Sequence, residues 1–127
     1  MDNFSCKEKL SVERKENSFA GIIDIKVIKG KGTLRIDGII RNSTSSSYIV
    51  QRTVILDAEK ENSRPTWKSR KIITTHIDDV TDETLVTLFP SFYIKPTTLT
   101  NIDLNTLSDG TLVITKSHLP YLYCSGL

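Results

Sequence analysis

The chain has 127 residues, of which 38% are hydrophobic and 25% are charged, and its formal net charge is +2. This length and composition fit one soluble globular domain that can bury a core without metals or several disulfides. Lysine and arginine form no continuous stripe, which argues against direct nucleic-acid binding. No apolar run approaches the ~20 residues that span a bilayer, and no secretory signal is found.

The segment from Cys6 to Asn17 is mostly charged, and its few apolar residues alternate with polar ones. This pattern favours a short edge strand over a frayed helix. The stretch that follows, residues 18–58, predicts three antiparallel strands in succession. Its first strand, residues 19–28, has one uncharged face, which we expect to point inward. That face consists of Phe19, Gly21, Ile23, Ile25 and Val27.

A glycine-rich reversal at residues 30–32 predicts a hairpin into a second strand over residues 33–41. A third strand is predicted over residues 48–58, where Arg52 interrupts an otherwise apolar face. We favour either a position for Arg52 at a sheet end or a side chain that extends past its neighbours to water. The alternative is a partly buried ion pair or an interface contact.

Four isoleucines lie on the nominally polar faces of these strands: Ile22, Ile39, Ile49 and Ile55. Two interpretations explain them. A second layer of structure could cover this face, and we favour that arrangement because antiparallel sheets are often closed or sandwiched. Otherwise the four side chains form a surface for a partner.

The rest of the chain predicts a strand over residues 67–77, with Trp67 in the core, and a helix over residues 82–89 capped by Thr81. Further strands are predicted over residues 99–106 and 111–116, and the tail forms an edge strand ending near Cys124. The expected fold is a single β-rich α+β domain spanning residues 1–127. Its antiparallel sheet is curled or barrel-like, with about six or seven strands and one short helix.

No motif for catalysis, a phosphate, a dinucleotide or a metal occurs, so we expect a non-enzymatic protein without a cofactor or metal. Helix capping explains the acidic cluster at residues 78–83 better than a calcium loop does. The two histidines, His76 and His118, are the residues suited to change charge near neutral pH. Asp78 and Asp79 follow His76, and a close carboxylate would favour its protonated form.

Cys6 and Cys124 are too far apart in sequence for a CxxC motif, and two cysteines cannot complete a thiolate metal site. From composition alone, two interpretations remain open. The cysteines are two unrelated buried thiols of a cytosolic protein, or they form one disulfide that joins the ends of an extracytoplasmic domain.

The layout resembles the FidL-like family, and within it the PsaF- and MyfF-type branch of the pH 6 antigen and Myf fimbrial systems. The similarity covers nearly the whole chain. Its most specific parts are the Tyr-x-x-x-Arg strand from Tyr48 to Arg52 and the Pro-x-x-x-Cys end from Pro120 to Cys124. The N-terminal cysteine, the glycine hairpin and the acidic entry to one helix complete it.

This resemblance implies an inner-membrane protein with one N-terminal anchor, which this chain lacks, so the chain is expected to be a periplasmic domain. It implies a role like that of ToxS, which is to bind and stabilise the periplasmic segment of a ToxR-like membrane-anchored activator. The output would be transcription of fimbrial virulence genes in response to acid and temperature. A periplasmic location favours a Cys6–Cys124 disulfide, and an acid response makes His76 and His118 candidate sensors.

Two other functions stay open from the sequence. A curled sheet can enclose a cavity, so the domain could be a lipocalin-like binder of a small apolar ligand. It could also be a fimbrial assembly factor that binds pilin subunits. Whether the domain also forms a homodimer is left open.

Overall fold

The computed structural model describes residues 3–89, 91–116 and 119–126. Strands make up most of this part of the chain. They are β1 (Phe4–Arg14), β2 (Asn17–Ile28), β3 (Lys31–Asn42), β4 (Ser47–Glu61), β5 (Arg64–Thr74), β6 (Leu99–Asn101), β7 (Asp103–Thr106), β8 (Leu112–Lys116) and β9 (Leu119–Gly126). One short helix, α1 (Asp82–Val86), and one 3₁₀ turn (Ser91–Tyr93) lie between β5 and β6.

The nine strands form one antiparallel sheet in the order β6-β5-β4-β3-β2-β1-β9-β8-β7. Its first and last members, β6 and β7, are consecutive in the chain and are separated by Ile102 alone. The Ile102 amide donates a hydrogen bond of 3.2 Å to the Pro65 carbonyl, which holds this junction against β5. The sheet therefore curls into a nearly closed barrel whose two edges meet at one residue.

The seam between β1 and β9 is short, since within the described residues only Phe4, Ser5 and Cys6 pair across it. Cys6 lies directly opposite Cys124 there, with 4.2 Å between the two Cα atoms, and the pair is at disulfide distance, as the resemblance implied. The cross-link joins residues 118 positions apart in sequence. It thus adds a covalent link to one of the shortest ladders of the sheet.

The barrel interior is filled by the inward faces of the strands, as the period-two pattern predicted. Ile25, Ile40, Val50, Val54 and Leu56 have exposed fractions of 0%. Trp67 is buried, which confirms its placement in the core. The segment after β5 adds a cluster of buried aromatic rings in which Phe89 contacts Phe19 and Tyr93, with both centroid distances 5.2 Å.

Two glycines lie beside this cluster at positions that leave no room for a side chain. Gly21 and Gly38 face each other across β2 and β3, and the Phe19 ring lies against both. A Cβ atom at either position would lie 2.7 Å from that ring, and closer still to a backbone oxygen of the facing strand, that of Asp37 for Gly21 and that of Ala20 for Gly38. The glycines are thus required by close approach rather than by backbone conformation.

The count of about six or seven strands was too low. The charged segment near the N-terminus forms the full-length strand β1, because its apolar residues Leu10 and Val12 face the core. The predicted strand over residues 99–106 is divided at Ile102 into β6 and β7, which lie at opposite edges of the sheet. β5 ends at Thr74 rather than at residue 77, and α1 ends at Val86 rather than at residue 89. Within the described residues, no helix is long and apolar enough to cross a membrane.

Candidate functional site

The outer wall of the barrel carries an apolar patch, the isoleucine surface, formed by Ile22, Ile39 and Ile49. Ile39 lies directly opposite Ile49 in the β3–β4 ladder and opposite Ala20 in the β2–β3 ladder. Ile22 is diagonal to Ile39, a separation that large side chains can bridge. The patch therefore extends over three neighbouring strands.

The side chains of this patch face solvent. Ile22 and Ile39 are each 39% exposed, and Ile49 is 37% exposed. The fourth candidate, Ile55, is half-buried on the same face. The expectation that a second layer covers this face was wrong, because the sheet closes on itself and buries its other face alone.

Charged residues of both signs border the isoleucine surface. A shallow depression of about 250 Å³ beside Ile22 is lined by Lys7, Asp24, Arg35 and Asp37. Arg35 and Asp37 form an exposed ion pair of 3.3 Å. An apolar centre with a mixed polar rim is the arrangement found at protein–protein interfaces.

An acidic turn, residues 75–80, follows β5 and lies beside the N-terminal end of β4, the strand that carries Ile49. The Ile49 amide donates 2.6 Å to Asp79 Oδ1, and the Gln51 amide donates 2.9 Å to Asp78 Oδ2. The Asp79 amide in turn donates 3.0 Å to the Ile49 carbonyl. Where β5 ends, two carboxylates thus continue the pairing with β4 that a strand would have provided.

Arg52 is held by this turn inside the barrel. Its Nε donates 3.1 Å to Asp78 Oδ2 and its Nη2 donates 2.9 Å to Asp78 Oδ1. The side chains of Arg52 and Asp78 are 5% and 3% exposed. The favoured interpretation, in which Arg52 lies at a sheet end or extends to water, was wrong, because Arg52 is buried and forms an ion pair with Asp78, which was the alternative.

Helix capping accounts for only part of the acidic cluster. Thr81 caps α1 by accepting a bond of 3.2 Å from the Thr84 amide, and Asp82 and Glu83 lie in the first turn, as predicted. Asp78 and Asp79 have the separate role described above, which sequence reasoning missed. An arginine on an apolar face was the available signal, since a buried charge requires a partner of opposite sign.

The structure places His76 in the acidic turn, where its side chain is exposed. The neighbouring carboxylates of Asp78 and Asp79 contact Arg52 and the β4 backbone instead of His76. Among the described residues, no ion pair involves His76. The other sensor candidate, His118, lies outside the described residues.

A second charged cluster lies on the outer wall at Asp57. This carboxylate accepts a hydrogen bond of 2.9 Å from Lys31 Nζ and a second bond from Arg70 Nε. The bond from Lys31, followed by that from Arg70, holds the pKa of Asp57 below its ordinary value of 3.8. Asp57 therefore stays ionised throughout the neutral and mildly acidic range.

A pocket of about 450 Å³ opens at the barrel end near the β2–β3 turn. Phe4, Val27 and Trp67 are among its apolar lining residues, and its charged lining residues are Lys29, Glu59 and Lys60. The Phe4 and Trp67 rings are stacked with a centroid distance of 6.4 Å. This volume and lining would suit a small amphipathic molecule.

In the part of the chain that the structure describes, no group of three or more His, Cys, Asp or Glu side chains could hold a metal ion. The sites available for function are thus the isoleucine surface, the acidic turn and the pocket. Comparison of the chain with family models, with curated proteins and with solved structures found no match in any of the three.

Proposed function

We propose that this domain is a non-enzymatic accessory subunit that binds and stabilises the periplasmic segment of a ToxR-like membrane-anchored transcription activator. In this role it controls fimbrial gene expression in response to acid and temperature. The observation that carries the binding role is the isoleucine surface, where three large apolar side chains lie exposed on paired strands. The resemblance to the FidL-like family supplies the class of partner.

Two features of the barrel support this proposal. The wall that carries the isoleucine surface is the most extensively paired part of the sheet, so the patch is preorganised and binding costs little ordering entropy. The Cys6–Cys124 pair is at disulfide distance, and disulfides persist in oxidising compartments such as the periplasm. Both features fit a periplasmic binding domain.

The test is to measure the affinity of the domain for the periplasmic segment of the activator after substitution of the patch. Ile39→Ser and Ile49→Ser should each weaken binding about tenfold, because they remove apolar area from the centre of an interface. Val86→Ser is the matched control, since Val86 is 58% exposed on α1, outside the patch. Equal affinity in all three variants would reject the isoleucine surface as the binding site.

Acid sensing is the second part of the proposal. Protonation of His76 or His118 shifts the binding equilibrium, since histidine is the side chain whose ordinary titration spans this range. His76→Ala and His118→Ala should flatten the pH dependence of binding. An unchanged pH dependence in the double variant would remove the histidines from the mechanism.

The pocket favours one other function, binding of a small apolar ligand. Its apolar lining, with two lysines against the single carboxylate of Glu59, would suit a molecule with an apolar body and an anionic group. Displacement of a fluorescent fatty acid by unlabelled fatty acid tests this candidate. Binding that is lost in Trp67→Ala, with the fold retained by circular dichroism, would support it, and the absence of fluorescence change would reject it.

A further inference from the structure

The second half of β5 is an open sheet edge. β5 pairs with β4 as far as Thr74, but it pairs with β6 over Thr66–Lys68 alone. Bonds between Ser69 and residues 97 and 98 extend that contact by one residue. Beyond this point, no strand of the described chain lies against β5 on the side away from β4.

The backbone groups of this edge point into the open side. The Thr75 amide donates 3.1 Å to the Gln51 carbonyl of β4. Residues of an antiparallel strand bond alternately to one neighbour and then to the other. Since Thr75 is directed at β4, the amide and carbonyl groups of Ile72 and Thr74 are directed away from it, and the Thr74 side chain is exposed.

A turn diverts the chain that could have covered this edge. Thr97 has a positive φ of 59°, and the Thr98 hydroxyl donates 3.0 Å to the Lys95 carbonyl. The Ser69 hydroxyl donates 2.9 Å to the same carbonyl, so the turn is anchored at the point where β6 leaves β5. The gap beside Ile72 and Thr74 is therefore built into the fold.

The charge of the side chains along this edge favours one kind of added strand over another. Residues 64–77 contain no Asp or Glu and carry the basic residues Arg64, Lys68, Arg70 and Lys71, of which Arg64 lies 3.9 Å from Asp103. The acidic residues that follow the edge, Asp78 and Asp79, bond to Arg52 and to the Ile49 amide. Asp57 bonds to Arg70, whereas Lys71 is exposed on the outer face. A second copy of this edge would bring like charges together, whereas an acidic segment would complement them.

The inner side of the edge adds an apolar requirement. The Ile72 side chain is half-buried against the core, and Ile73 is 45% exposed on the outer face beside Lys71. Successive side chains of an added strand would point alternately toward the core and toward solvent. The inward ones would contact Ile72, and the outward ones would meet Lys71.

We propose that the β5 edge at Ile72–Thr74 binds, by strand addition, an extended protein segment in which apolar and acidic residues alternate. The added strand would continue the β4–β5 sheet and would satisfy the open backbone groups of Ile72 and Thr74. This site stands apart from the isoleucine surface, and it does not require the activator to be the partner.

The test uses two capped peptides, one of alternating glutamate and valine and one of alternating lysine and valine, titrated into the ¹⁵N-labelled domain. The glutamate peptide should shift the amide resonances of Ile72 and Thr74 and slow their hydrogen exchange. The lysine peptide should bind about tenfold more weakly, since it replaces attraction by repulsion at the same edge. Shifts that map to other strands, or equal binding of both peptides, would overturn the proposal.

Two pairs of variants separate edge pairing from other effects. Thr74→Pro removes the outward amide without disturbing the bonds to β4 and should abolish binding, whereas Thr74→Val keeps the amide and should bind normally. Lys71→Glu should weaken binding of the glutamate peptide. Lys26→Glu should leave that binding unchanged, because Lys26 is an exposed residue of β2, away from the β5 edge. If Thr74→Pro and Thr74→Val bind the peptide equally, the site is not the β5 edge. If the domain self-associates through this edge and the peptide cannot compete, a second copy is the occupant and the proposed acidic segment is not.

Discussion

Arg52 and Asp78 form a two-bond ion pair inside the barrel, with distances of 3.1 and 2.9 Å. The pair ties the acidic turn to β4 at the strand end that carries Ile49. Because both side chains are almost fully buried, each charge depends on the other. The acidic turn is thus part of the fold as well as the site of His76.

Asp78→Asn should destabilise the domain by about 3–5 kcal/mol, because it leaves the Arg52 charge buried without a counter-charge. The measurement is the free energy of unfolding in urea. Asp82→Asn is the matched control, since Asp82 is exposed in the first turn of α1 and should cost less than about 1 kcal/mol. Similar losses in the two variants would show that the ion pair does not secure the turn.

Replacing Cys6 and Cys124 together by alanine should lower stability by about 5 kcal/mol in the chain-entropy model, because the cross-link closes a loop of nearly the whole chain. The urea midpoint of the oxidised protein should also fall on addition of a reductant, whereas that of the variant should not change. If reductant leaves the midpoint of the native sequence unaltered, the bond contributes nothing to stability.

Gly38→Ala should cost about 1–3 kcal/mol, because the new Cβ atom would lie 2.5 Å from the Ala20 carbonyl oxygen and 2.7 Å from the Phe19 ring. Phe19→Leu alone should also destabilise the core. In the double variant the combined loss should fall only partly below the sum of the two separate losses, because the smaller side chain relieves the overlap with the ring but not the overlap with the Ala20 carbonyl. Strict additivity would mean that the Phe19 ring does not contribute to the cost of the methyl group.

Asp57 gives a prediction for pH. Its folded pKa lies below 3.8, so the stability it contributes is fully present above the unfolded pKa and is lost as pH falls through the folded pKa. The difference in unfolding free energy between the native sequence and Asp57→Asn should stay constant from about pH 8 to pH 5 and should shrink below about pH 4. A difference that changes between pH 8 and pH 5 would contradict this assignment.

The Asp57 result also bears on acid sensing. Because that carboxylate stays ionised near pH 6, its ion pairs with Lys31 and Arg70 persist across the range of the proposed response. A pH effect on binding in that range must therefore come from groups other than Asp57. The histidine variants are therefore the informative ones.

The inward faces of the central strands could be predicted from sequence because alternation over ten or more residues has one consistent solution. Phe19, Ile23 and Ile25 on β2 all lie in the core. Their partners on β3 lie there too: Ile40, Ile36 and Leu34. Closure of the sheet could not be predicted in the same way. It depends on the meeting of the edge strands β6 and β7 at Ile102 and on the three-residue ladder between β1 and β9, which brings together opposite ends of the chain.

The candidate site shows the same division between local and long-range information. The alternation of residues along each strand predicted that the isoleucines point outward. Whether a second layer covers them depends on the closure of the sheet into a barrel, which that alternation does not determine. Asp78 and Asp79 are adjacent to His76 in sequence, yet their side chains turn toward β4 because Arg52 and the open backbone of Ile49 and Gln51 attract them. No local pattern specifies such a contact across 26 residues.

The most direct test of the account is the affinity of the oxidised domain for the periplasmic segment of a ToxR-like activator, measured at about pH 6 and about pH 7.5, where histidine changes charge. The account predicts binding at both values, with an affinity that differs between them and falls in Ile39→Ser. The absence of binding at both values would contradict the proposed function and would leave ligand binding at the pocket as the candidate to pursue.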